Sequence, residues 1–218
     1  MTAEKLIFVS YYPGCCGQFI GGICDILLNN KGYPMLLKTG EVNRILQRTL
    51  IGLENDLNAK YVEITCMPTW GDNHRSMFET LMSEWKIHQL PGQSYFVVTS
   101  HILALKELQD KFKDNKIILL IPKDQNEIDL SYHLWNIKNK RTKKTYEKIR
   151  YESSSMDSLH EYASDNSNVI TFNLLEILNE QNIDLNLNKI IKHLNLTDQY
   201  KLKAVDFYKE YLKKQQLS

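Results

Sequence analysis

Residues 5–28 read KLIFVSYYPGCCGQFIGGICDILL. Leu6, Ile7, Phe8 and Val9 form a short apolar run, which suits a strand buried on both faces. A turn bounded by Pro13 and Gly17 follows, and an apolar segment of helical character comes directly after it. Strand, tight turn and helix in that order are the grammar of a phosphate-binding loop. Backbone N–H groups at a helix start converge on one spot, and the helix dipole favours an anion there. Glycine lets the backbone approach a ligand closely, because no Cβ is in the way. The stretch predicts a nucleotide or phospho-ligand site at the carboxyl end of the first strand. The competing reading is a strand-to-helix turn whose glycines only relieve strain.

A Walker A loop reads G-x-x-x-x-G-K-[ST], and its lysine and hydroxyl hold the terminal phosphates and Mg²⁺. Here Pro13, Gly14, Cys15, Cys16, Gly17 and Gln18 supply glycines but neither a lysine nor a Ser or Thr. Nucleoside triphosphate hydrolysis of the usual kind is not expected, and no metal is called for.

The chain has 218 residues, which suits a single α/β domain over residues 1–218. A net charge of +1 gives no global field to attract nucleic acid. No apolar run approaches the roughly 18 residues of a membrane span, and the N-terminus does not read as a signal peptide. The cysteines are Cys15, Cys16, Cys24 and Cys66, with no C-x-x-C pair and no Cys/His cluster at zinc spacing. Adjacent Cys15 and Cys16 are poorly placed for a structural disulfide, so a reducing cytoplasm is the simplest location. A helix N-terminus can also lower a thiol pKa; small residues filling a tight loop are the plainer reading of this pair.

Five segments read as strands: residues 5–11, 61–66, 95–99, 116–121 and 169–172. Helical spacing lies between them at residues 19–28, 41–53, 75–89 and 103–112, and then at 174–179, 187–194 and 198–215, punctuated by Asn and Asp. Alternating strands and helices predict an α/β fold: three layers, α/β/α, around a mostly parallel sheet of about five strands, P-loop-like, with a helical C-terminal region.

Ligands of such sheets bind beyond the carboxyl ends of the strands. Residues 13–18, 68–74, 100–101 and 122–131 are the segments expected there. His101, just past the third strand, is the candidate general base, since its ordinary pKa suits proton removal at neutral pH; capping of the next helix is the alternative. His74 reads as part of a helix-capping loop. Lys123 can pair with a phosphate and Ser131 can donate to one. Residues 138–150 hold seven basic side chains against Glu147 alone. This cluster reads chiefly as a solvated face, with one or two side chains able to reach an anion. It lacks the interleaved aromatics of a single-strand nucleic-acid platform.

These residues, in this order, resemble the P-loop sulfotransferase family. Tyr12-Pro13-Gly14-Cys15-Cys16-Gly17-Gln18-Phe19 is similar to the family's phosphosulfate loop, Tyr-Pro-Lys-Ser-Gly-Thr-Thr-Trp. Thr99-Ser100-His101 resembles its Lys-Thr-His, and Leu120-Ile121-Pro122-Lys123-Asp124, followed by Ser131-Tyr132, resembles Arg-Asn-Pro-Lys-Asp and the later Ser-Tyr. The family lysines fall on Gly14 and Thr99, and its arginine on Leu120 or Ile121. The resemblance spans about two-thirds of the chain. It implies 3′-phosphoadenylyl sulfate as cofactor, a small-molecule or carbohydrate hydroxyl acceptor, His101 as base, and Lys123 with Ser131 at the 3′-phosphate. The alternative is a non-catalytic P-loop-like nucleotide- or anion-binding protein that has lost the catalytic cations. A small-metabolite kinase and a thiol enzyme using Cys15 or Cys16 are more distant alternatives.

Overall fold

The computed structural model describes residues 6–29, 61–63, 96–100, 105, 109, 115–139 and 154–216. Five strands, β1 (Leu6–Tyr11), β2 (Tyr61–Glu63), β3 (Phe96–Ser100), β4 (Lys116–Leu120) and β5 (Val169–Phe172), form one sheet in the order β2-β3-β1-β4-β5. Every pairing is parallel, and the register sets Ser10 beside Ser100 and Tyr11 beside Leu120. Each expected strand has a counterpart; β5 coincides with its expected bounds, and β4 ends at Leu120, one residue sooner than expected. Ile7, Phe8, Val9 and Ile117 to Leu120 are buried, as central strands covered on both faces must be.

Helix α1 (Gly17–Asn29) follows β1, and α2 (Gln125–Asn139) follows β4. Then come α3 (Met156–Asp165), α4 (Leu174–Leu178), α5 (Ile183–His193) and α6 (Lys201–Gln216). α1 packs on β1 and β3 and against α6, which explains why it is buried almost all round, down to Ile20, Ile23 and Cys24. Among the described residues no helix is long and apolar enough to cross a membrane.

Three expectations need correction. α5 begins at Ile183, not near residue 187, because Asn186 is a core residue instead of a turn marker: its amide donates to the Tyr208 hydroxyl at 3.0 Å and to the Glu176 carbonyl at 3.0 Å. Residues 198–215 are not one α-helix, since Asp198–Tyr200 is a 3-10 turn that leads into α6. α3 was not anticipated; Ser155 caps it, and only Leu159 and Tyr162 are buried along it. The helical readings at 41–53 and 75–89 lie outside the described residues. Of 103–112 only Leu105 and Gln109 are described, and both are helical.

Candidate functional site

β1 and β4 are neighbours, yet the chain leaves β1 toward the β2 edge and leaves β4 toward the β5 edge. The strand order therefore turns round between them. The crevice beyond their carboxyl ends is the place where open parallel sheets take ligands.

The turn after β1 enters this crevice. The Tyr12 N–H donates to the Leu120 carbonyl at 3.1 Å, which ties the turn to the end of β4, and the Cys15 N–H donates to the Tyr12 carbonyl at 2.9 Å to close it. Gly14 has φ +85° and Cys16 has φ +61°. Pro13, Cys15 and Gly17 are buried, whereas Gly14, Cys16 and Gln18 keep partial access to solvent. Both glycines of the turn are sterically required. A Cβ on Gly14 would run into the Ser131 carbonyl oxygen, and one on Gly17 would run into the Tyr11 ring.

Two segments named separately from the sequence thus meet: the 13–18 turn and the first half of α2. They do not meet through the atoms expected. Ser131 is fully buried and its hydroxyl donates to the Ile128 carbonyl at 2.8 Å. Its carbonyl backs Gly14, and its hydroxyl turns to Ile128 instead of lining the crevice. Lys123 is exposed at the rim. Burial pushes the Cys15 thiol well above its ordinary pKa; charge on Cys16 and Glu127 adds to this, and the Ser131 hydrogen bond offsets part of it. Cys15 is accordingly a neutral thiol and no nucleophile. Cys16 is half-buried against the core, and its sulfur accepts the Tyr211 hydroxyl of α6 at 3.1 Å. The Tyr211 ring stacks on Phe19 at 3.9 Å between centroids, and Tyr208 meets Phe19 edge-on at 4.7 Å. Aromatic pairs of this kind contribute about 0.5–1.5 kcal/mol each beyond their area.

Two residues at this edge were not singled out from the sequence. Glu127 is 1% exposed, and three backbone N–H groups donate to its carboxylate: Lys123 at 2.9 Å, Leu174 at 3.0 Å and Leu175 at 3.2 Å. Its signal was present, since Asp124-x-x-Glu127 has capping-box spacing and the Asp124 carboxylate does accept the Glu127 N–H at 3.0 Å. Ser154 had no local signal. Its hydroxyl accepts the Leu105 N–H at 2.7 Å and its carbonyl accepts the Tyr12 hydroxyl at 3.4 Å, which joins the connections after β1 and β3.

His101, His74 and most of the basic 138–150 cluster lie outside the described residues. Among the described residues no cluster of His, Cys, Asp and Glu could hold a metal ion. No protein-family model matches the chain, and no curated protein matches it.

Proposed function

We propose that this chain is a divergent sulfotransferase-like P-loop protein, a three-layer α/β/α domain that binds 3′-phosphoadenylyl sulfate at the turn after β1 and passes its sulfuryl group to a hydroxyl acceptor. One observation carries the reading. Cys16 holds a left-handed conformation at the position where the resembling motif has glycine, and the turn leads straight into α1 at the switch point of the sheet.

In this reading the backbone of residues 14–18 and the α1 dipole receive the phosphosulfate end. His101 takes the acceptor's proton as the acceptor oxygen attacks sulfur, and the bond from sulfur to the bridging oxygen breaks to release adenosine 3′,5′-bisphosphate. Lys123 supplies a cation at the rim for the 3′-phosphate, and Ser131 supports the turn from behind. Charge gathering on the bridging oxygen has to be met by oriented backbone dipoles, since position 14 cannot carry a lysine.

That exclusion favours a second reading, a binding protein without turnover. A side chain at position 14 has no space, so the family's cation cannot reside there. Calorimetric titration with adenosine 3′,5′-bisphosphate, with ATP–Mg²⁺ in parallel, tests the binding. Micromolar affinity for the bisphosphate alone supports the site, and binding of neither ligand overturns it. Transfer of radiolabelled sulfate to a panel of hydroxyl acceptors, lost in His101→Ala, then separates the enzyme from the binding protein.

A further inference from the structure

We infer that Glu127 is the positioning residue of this site, a strut that holds the start of α2 against the turn after β1; the inference rests on the reading of that turn as the binding site. The carboxylate is out of solvent and is fixed on both sides. Oε2 accepts the Lys123 N–H in the connection after β4 and the Leu174 N–H at the start of α4, and Oε1 accepts the Leu175 N–H. One side chain thereby joins the connections that leave β4 and β5 at the carboxyl edge.

The fixed geometry passes to the turn in two steps. Glu127 lies in the first turn of α2, where the Asp124 carboxylate also holds its N–H. One turn further on, the Ser131 carbonyl fills the space beside Gly14, and the Ser131 hydroxyl is anchored on the Ile128 carbonyl. Every backbone donor in the first turn of α4 is satisfied as well: Asn173 takes the Glu176 N–H at 2.8 Å, and Glu127 takes the two before it. Loss of the carboxylate strands three buried or half-buried donors, whose bonds to a charged acceptor are stronger than neutral ones. α2 then moves away from the turn.

Cys15 and Cys24 make this testable in the full chain without any ligand. Both thiols are buried, but Cys15 lies under Ser131 whereas Cys24 lies in the middle of α1. Alkylation by iodoacetamide under native conditions, read residue by residue by mass spectrometry, distinguishes local release from general loosening. In Glu127→Gln, Cys15 should label about tenfold faster relative to Cys24. The affinity for adenosine 3′,5′-bisphosphate should fall by a similar factor. Glu127→Asp keeps the charge on a shorter arm and should fall between the two; it also serves if the Gln variant does not fold. Equal acceleration of both thiols, or of neither, overturns the strut. Selective release of Cys15 in a protein that never binds the bisphosphate keeps the strut and overturns the ligand reading instead.

Discussion

Cys16 and Asn195 share a left-handed backbone, with φ of +61° and +53°, at opposite ends of the sheet. Asn195 ends α5. The Leu196 N–H donates to the Ile191 carbonyl at 3.0 Å and the Asn195 N–H donates to the Lys192 carbonyl at 3.3 Å, a Schellman stop in which Asn is a usual occupant. Cys16 lies in the candidate site, where its thiol donates to the Gly14 carbonyl at 3.9 Å; the conformation costs a residue of this kind roughly 1–2 kcal/mol. It persists because its surroundings over-determine it: Gly14 and Gly17 on either side, and Tyr211 on its sulfur. The same dihedral is thus relaxed where it only stops a helix and strained where a ligand is expected.

Gly14→Ala is the largest test of this contrast. The added Cβ meets backbone, which cannot step aside, at a positive φ, so a loss of roughly 3 kcal/mol or more is expected in urea unfolding. A loss below about 1 kcal/mol would mean that the turn relaxes freely and the contrast is empty. Gly17→Ala should cost about 2 kcal/mol, because its obstacle is the Tyr11 ring, a side chain, and trimming Tyr11 to Leu in the same chain should restore part of that.

Acid should act on the other side of the comparison. His193, beside the Asn195 stop, is held neutral: burial and the Lys116 cation lower its pKa to about 4, against a smaller opposing contribution from the Ile117 backbone. The unfolded chain takes up that proton from about pH 6.5 downward, whereas the folded chain does not until about pH 4. Stability is therefore fully present above pH 6.5 and declines by up to about 3 kcal/mol between pH 6.5 and 4. The melting temperature of His193→Gln should not show that share of the decline.

The smallest effects carry opposite signs at the two positions. Asn195→Ala should lose about 1 kcal/mol, and Cys16→Gly should gain up to about 1 kcal/mol, less what the Tyr211 contact contributed. Chemical denaturation of the pair decides it, and equal signs would erase the distinction between the two turns.

The central strands and the 13–18 turn were legible because their signals are local: unbroken apolar runs, and Pro and Gly at fixed offsets. Glu127 is hard to read locally because most carboxylates are solvated, although its spacing from Asp124 marks it as a cap. Its further partners at Leu174 and Leu175 are nearly fifty residues away, and no local pattern carries them. Asn186 escapes local reading in the same way. Asparagine usually punctuates turns, but here Tyr208 supplies a buried partner that makes it a core residue. The Ser131 hydroxyl turns to Ile128 while its carbonyl backs Gly14, and spacing along a helix does not tell which side a neighbouring loop takes.

The bond from the Tyr211 hydroxyl to the Cys16 sulfur spans 195 positions of sequence. At roughly 5–20 residues per second, ribosomes deliver the α6 partner some tens of seconds after the turn. Throughout that interval the Phe19 ring and the strained cysteine are without their cover. The nascent protein therefore carries a sticky, oxidisable patch until translation reaches α6.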